Sequence, residues 1–192
     1  MIRACEGQRE TAMWLICHKP TLAKYGIGFV KPAPMPMGKF LRNGYLIKGD
    51  TLAELAMNAG IDAPGLEQTV KEFNVGAAQG EDPAFGRGRT SFNRYLADPK
   101  NTPNPCVAPV QTGPFFAVKL VMGDLGTFDG IKTSVFGEVL KRDGSRIDGL
   151  YAVGNDRASI MGGNYPGAGI THGPNMTFGF VTANYIADQA AN

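Results

Sequence analysis

Between Leu66 and Ala77 the apolar residues Leu66, Val70, Phe73 and Ala77 fall at i, i+4, i+7 and i+11. That spacing places them on one face of a helix of period 3.6. A shorter helix is predicted just before it. Thr51-Leu52-Ala53-Glu54 has the form of a capping box, in which hydroxyl and carboxylate satisfy first-turn amides; the helix should run to about Asn58 and stop at Gly60. Phe115 to Val121, FFAVKLV, reads as a strand. Val139-Leu140 and Ile147 flank Asp143-Gly144, a pair that closes hairpin turns. Leu150-Tyr151-Ala152-Val153 continues as a short buried strand. The last helix is predicted near Pro174, which suits a first turn. Met176, Phe180, Ala183 and Ala187 line one of its faces, and Phe178, Val181 and Tyr185 another. A helix apolar on two faces needs cover on several sides.

The rest of the chain patterns poorly. Residues 1–49 read as irregular, and PAPMPMG (Pro32 to Gly38) is predicted extended because its prolines donate no backbone hydrogen bonds. Glu81 to Pro114 is loop-rich, charged as far as Tyr95, with five prolines beyond it. A connection this long is expected to be a functional lid, or to pack against something outside the chain. The closing strand and helix ask for a larger sheet than the other predicted strands supply.

Composition narrows the class. The 192 residues are 43% hydrophobic and 19% charged, ordinary for a soluble globular protein. A net charge of +2 is too small to imply nucleic acid or an acidic membrane surface as a partner. No apolar run of about 18 residues exists, so no membrane span is expected. The first twenty residues lack a signal-peptide core, and a cytoplasmic location is expected. Cys5, Cys17 and Cys106 fit neither a disulfide framework nor a zinc pattern. With His18 and His172 as the only histidines, no metal site is expected. The Cys17-His18 pair should point apart, and Gly86-Arg87-Gly88-Arg89 reads as a solvated basic loop.

Candidate chemistry concentrates in Gly149 to Asp188, which reads as strand, glycine-rich crossing loop and helix. Such a junction can hold a flat, electron-rich cofactor against bare backbone. The helix start near Gly173-Pro174 carries partial positive charge. Gly154-Asn155-Asp156 lies at the carboxyl end of the strand, placed either for ligand hydroxyls or as an Asx turn. Arg157 is expected at the surface. Tyr165 stands on the loop between Gly163 and Gly167, and a phenol is a far better proton donor to a carbonyl oxygen than water. The Gly169 amide, four residues on, could donate to the same oxygen. Such a clamp would stabilise an enolate by about 3 kcal/mol per desolvated donor. The plainer alternative is a Tyr165 packed beneath the loop, bonded to a backbone carbonyl.

These residues carry a family resemblance. GLYAVGND, MGGNYPGAGITHGPNMTFGF and GDLGTFDGIKT resemble the C-terminal part of the FAD-dependent 3-ketosteroid 1-dehydrogenases. These enzymes belong to the fumarate reductase/succinate dehydrogenase flavoprotein superfamily. GYLIKGDTLAELAMNAGID, GRGRTSFNRYLADPKNTPNP and PFFAVKL are similar to the family's catalytic (cap) domain. The resemblance implies an α+β or α/β fold: residues 1–122 a portion of the cap domain, and 123–192 the C-terminal strand-loop-helix of a Rossmann-like FAD-binding domain whose N-terminal half is missing.

It also implies a reaction. A tyrosine hydroxyl and a glycine amide hold the steroid's 3-keto oxygen, and Tyr165 and Gly169 match them. A second tyrosine takes the C2 proton while flavin N5 accepts hydride from C1. FAD contacts are implied at Gly154, Asn155, Asp156, Gly167, Ile170, Gly173, Pro174 and Met176. The family's G-x-G-x-x-G fingerprint and its proton-abstracting tyrosine have no counterpart in these 192 residues. The implied partners are a steroid or bulky ketone, an external electron acceptor and the missing N-terminal FAD-binding half, the chain being either a truncated or split gene product or one that another polypeptide completes. Other outcomes are ketosteroid 4,5-dehydrogenation, a catalytically silent lobe, or fumarate-type reduction. The last ranks lower, because the Asn164-to-Ile170 loop offers no cationic anchor.

Overall fold

The computed structural model describes residues 1–123 and 126–191. Among them the order is β1 (Ala12–His18), α1 (Lys19–Tyr25), α2 (Gly38–Arg42), β2 (Ile47–Gly49), α3 (Leu52–Ala59), α4 (Ala63–Ala77), α5 (Ser91–Tyr95), β3 (Phe115–Val121), β4 (Glu138–Leu140), β5 (Arg146–Tyr151) and α6 (His172–Ala190). The fold is mixed α/β, and the chain divides into two units, Met1–Met122 and Gly123–Asn192.

In the first unit β3 is the middle of an antiparallel sheet of order β1-β3-β2. Successive side chains of a strand point to opposite faces. Phe116 and Val118 therefore meet Cys17, Leu22, Ile27, Val30 and Leu46 on one side, while Phe115 and Ala117 meet Leu55, Trp14 and Ile16 on the other. Covered on both faces, the strand needs no polar alternation until it emerges at Lys119–Val121.

The first 49 residues are not irregular. AMWLICH forms β1, paired with β3 from Ala12↔Val121 to His18↔Phe115. Its run shows no period-2 signal because part of each face is covered. Pro20 opens α1 from within its first turn. Pro32 to Gly38 is also not extended throughout: the Met35 N–H closes a turn onto the Pro32 carbonyl at 3.1 Å. A proline lacks the donor but keeps its acceptor, which allows the turn.

The predicted helices form, with small departures. Thr51 Oγ1 accepts from the Glu54 N–H at 3.0 Å, but the Glu54 carboxylate takes the Asp50 N–H (2.8 Å), one residue upstream of the expected Thr51. Gly60 ends α3 in the left-handed region at φ 69°. Asp62 caps α4 through the Gly65 N–H, and Leu66 and Ala77 are buried beneath it.

Glu81 to Pro114 is tied to its own unit by polar side chains. The buried Asn104 amide donates to the carbonyls of Gly80 (2.8 Å) and Arg87 (3.0 Å), while its oxygen accepts from the Cys106 N–H (2.9 Å). Asn74 of α4 exchanges two hydrogen bonds with the Val110 backbone. Asp98 accepts from Lys24 and Tyr25 at the end of α1. Neither a lid nor an outside partner is needed to order this segment.

In the second unit β4 and β5 form the predicted hairpin, with Gly144 at φ 84° in its turn. Phe136 stacks on Tyr185 of α6 at 4.6 Å, and Glu138 accepts from Ser134, Arg146 and the Tyr185 hydroxyl. Burial alone would raise the Glu138 carboxyl, but these three donors hold it below its ordinary range. The predicted buried strand is only half-buried: Leu150 is 48% exposed, and Tyr151 to Val153 are partly covered. The outer face of α6 is open too, with Met176 74% and Phe180 73% exposed, while Phe178, Val181 and Tyr185 turn inward. A two-stranded ribbon and a loop cover one helix face, not several. No helix among the described residues is long and apolar enough to cross a membrane.

Candidate functional site

The second unit holds a cavity of about 310 Å³ beneath the crossing loop. Its shape follows from how the backbone after β5 is fastened. Gly154–Asp156 form a 3-10 turn. Thr127 Oγ1 donates to the Asn155 carbonyl at 3.0 Å, and Asn175 Nδ2 donates to Asn155 Oδ1 at 3.3 Å. The Ile131 N–H bonds the Asp156 carbonyl and the Ala158 N–H bonds the Ile131 carbonyl, both at 2.9 Å. These two bonds hold Arg157 between them in a parallel bridge with Ile131.

Among the sequence-predicted residues the cavity gathers Gly154, Asn155, Tyr165, Ile170 and Pro174. Tyr165 is 47% exposed, and among the described residues its hydroxyl makes no hydrogen bond. It does not bond a backbone carbonyl beneath the loop. Asp156 instead lines a shallow depression with Gly130, Ile131 and Tyr151 to Val153. Gly167, Gly169, Gly173 and Met176 are outside the cavity lining. Gly167 accepts from the Ile170 N–H at 3.4 Å, and Gly169, at φ 88°, accepts from the Gly173 N–H at 2.7 Å. That last bond occupies one amide of the α6 start, which the sequence offered to a ligand. Thr171, at the N-cap, adds no side-chain cap.

Several lining residues were not anticipated: Thr127, Phe128, Ser159 and Phe178. The pattern puts Phe178 on one of two apolar faces of the helix, but nothing in it says which face borders a cavity.

Arg157 departs most from expectation. It is half-buried rather than freely solvated: its guanidinium carbon lies 4.0 Å from the Phe178 ring centroid, and it lines the same cavity as Tyr165. Nε and Nη1 are shut off from solvent without a hydrogen-bond acceptor. Burial lowers its pKa from the ordinary guanidinium value, and among the described residues no carboxylate counteracts that effect. The loop Asn164 to Ile170 does lack a cation, but the fold supplies one from outside it.

A family model described as an FAD binding domain matches residues 1–171. The chain belongs to the FAD binding domain family. It is 49% identical over 191 residues to a 4-oxocyclohex-2-ene-1-carboxylate 5-dehydrogenase of Sinomonas cyclohexanicum, covering all of this chain and 32% of that protein. It is 45% identical over 177 residues to a 3-oxosteroid 1-dehydrogenase of Mycobacterium tuberculosis, covering 92% of this chain and 31% of the relative. Among solved structures it matches a 3-ketosteroid Δ1-dehydrogenase of Sterolibacterium denitrificans, in complex with 1,4-androstadiene-3,17-dione. That match has a TM-score of 0.86 at 41% identity, over 92% of this chain and 32% of the other. The chain thus spans about a third of the length of the relatives it matches.

The cofactor of the FAD binding domain family is FAD, and the residues here suit its flavin end. A Cβ added at Gly162, Gly163, Gly169 or Gly173 would meet nothing within 4 Å, so the loop presents bare backbone on which a flat ring can lie. The Asn155 amide and the start of α6 supply polar contacts beside it. The described residues hold no glycine-rich cradle for the pyrophosphate end.

Proposed function

We propose that this chain carries the ketone-holding part of an FAD-dependent dehydrogenase that removes hydrogen from carbons beside a ring carbonyl. In this reading Met1–Met122 belongs to the catalytic cap and Gly123–Asn192 is the strand-loop-helix that closes the FAD-binding domain. Asn155, Ile170 and Pro174 would border the flavin, with Gly154, Asp156, Gly167, Gly173 and Met176 in the backbone around it. Bound FAD supplies the hydride acceptor.

The observation that carries this reading is the uncommitted Tyr165 hydroxyl on a mainly apolar cavity. A phenol donating to a ketone oxygen in a water-poor site stabilises the enolate that forms as the neighbouring C–H loses its proton. Gly169, with its amide unbonded among the described residues, is the second donor in this scheme. It would act once the loop closes over a ligand. The relatives' names give two kinds of ring ketone, a 3-oxosteroid and a carboxylated oxocyclohexene. Dehydrogenation beside a ring carbonyl is common to both.

A chimera tests the proposal. The matching third of the Mycobacterium tuberculosis relative is replaced by this chain, and reduction of an artificial electron acceptor is followed with ring ketones as donors. The expected result is ketone-dependent reduction. A chimera that retains FAD but turns over no ring ketone would remove the proposal.

A further inference from the structure

We infer that the loop between α1 and α2 docks on an anionic lipid surface, with Phe29 and Met35 entering the headgroup region and the cations around them meeting lipid phosphates. The inference is independent of the dehydrogenase reading above.

Charge is segregated along the chain. Six of the 19 Lys and Arg, and none of the 17 Asp and Glu, fall between Thr11 and Gly49. The formal charge of +2 thus divides into +6 in this stretch and −4 elsewhere. Lys24 pairs with Asp98, and Lys48 with Asp50. Lys19, Lys31, Lys39 and Arg42 are exposed, and among the described residues none of the four forms an ion pair.

Apolar side chains stand out among these cations on well-anchored backbone. Leu22, Ile27, Val30 and Leu46 are buried with Phe116 and Val118 of β3. Ile27 and Val30 exchange two backbone hydrogen bonds at 2.9 Å, so Gly28 and Phe29 form the tip of a tight turn. The Phe29 N–H donates to the Tyr45 hydroxyl at 3.1 Å, and the Ala33 N–H to the Ala23 carbonyl at 2.9 Å. The backbone is fastened, yet Phe29 is 73% exposed, and Met35, between the exposed Pro34 and Pro36, is 60% exposed. The core of this unit gains little from either side chain.

Apolar tips flanked by unpaired cations narrow the partner. The cores of protein interfaces are depleted of lysine, because an ammonium buried against protein needs a counter-charge. A nucleic acid would take the cations, but Met35 and its flanking prolines offer no ring for a base to stack on. A bilayer surface answers both features. Its acyl boundary accepts Phe and Met, while lysine stems reach up to place their ammonium groups at the phosphates. This mode needs no membrane-crossing helix, and none is present among the described residues.

The full chain is mixed with phosphatidylcholine vesicles, with and without phosphatidylserine, and bound protein is measured by co-sedimentation. The anionic vesicles should bind it at least about tenfold more tightly, and raised salt should weaken that binding. K31Q/K39Q/R42Q should weaken it about a hundredfold, at about fivefold for each cation lost. F29Q/M35Q should weaken it about tenfold without altering the circular dichroism, since both side chains are exposed. Brominated lipid should quench F29W more than the parent, whose single tryptophan is Trp14 in β1. Replacing Met176 and Phe180 with Gln should leave vesicle binding unchanged, which separates the loop from the open face of α6.

Equal binding to both vesicle types would overturn the inference. So would binding that follows Met176 and Phe180, no added quenching in F29W, or displacement from vesicles by an equal charge of duplex DNA or polyglutamate. The FAD-loaded chimera with the Mycobacterium tuberculosis relative should bind the anionic vesicles as well. Loss of binding there would show that other protein covers the loop, and the lipid surface would fall as its partner.

Discussion

Tyr165 was legible as a functional candidate because it is the one large polar side chain between Gly163 and Gly167. The structure gives it a cavity and, among the described residues, no competing hydrogen bond. Arg157 was not legible, since whether a long cationic side chain is buried depends on what its tip meets. Its tip meets Phe178, on an element far along the chain. Cys17 shows the same dependence on packing. It lies under Leu22 and Val30, and burial pushes its thiol up to about 11 from an ordinary value of 9.0. A group whose folded pKa is raised contributes stability that is fully present below the unfolded pKa. That contribution is lost as pH rises from 9.0 towards 11. Because thiolate is the reacting species, Cys17 should resist iodoacetamide in the folded protein at pH 8 and react in urea. Mass spectrometry of the Cys17 peptide checks this. Rapid native alkylation would contradict the packing described here.

At the level of elements, local signals found α3, α4, β3 and the hairpin because each carries its own periodicity or turn chemistry. Thr51, Gly60 and Asp143-Gly144 specify their elements without help from distant residues. The sequence missed β1, whose run Ala12–His18 alternates poorly, and it left the Glu81-to-Pro114 segment as either a lid or a stretch packed against something outside the chain. What orders that segment is side-chain chemistry from afar: Asn104 to Gly80, Asn74 to Val110, and Lys24 and Tyr25 to Asp98. Hydrogen bonds from Lys24, Tyr25 and the Lys100 amide hold the Asp98 carboxyl far below its ordinary range. A depressed carboxyl contributes stability that is present above its unfolded pKa, near 3.9, and lost as pH falls below that value. Limited proteolysis between Tyr95 and Pro109 should therefore be slow at pH 7 and faster in D98N. The difference should shrink at pH 3 with an acid protease. Equal cleavage of both proteins at pH 7 would show that Asp98 does not fasten the segment.

For the molecule as a whole, the closing strand and helix ask for a larger sheet than the described residues supply, and the shortfall stands open as apolar surface on α6. Among its described residues the Gly123–Asn192 unit offers α6 a two-stranded ribbon to pack against. Met176 and Phe180 stay open, beside Ile186 at 41% exposure. Exposed apolar faces of this kind bind hydrophobic dyes. The purified chain should enhance the fluorescence of anilinonaphthalene sulfonate. Replacing Met176 and Phe180 together with Gln should reduce that signal by about half or more without lowering the thermal midpoint, since neither side chain is packed. Unchanged fluorescence would place the dye elsewhere.

The central claim is that the Tyr165 hydroxyl holds a ketone oxygen in the cavity beside the flavin. Isotope-edited infrared spectroscopy of a bound 13C-carbonyl ring ketone reads that contact directly, in the FAD-loaded chimera and in its Tyr165→Phe counterpart. The account predicts a carbonyl stretch moved to lower frequency in the parent and returned towards its free value in the variant, with the flavin spectrum intact in both. The same carbonyl frequency in the two proteins would contradict it.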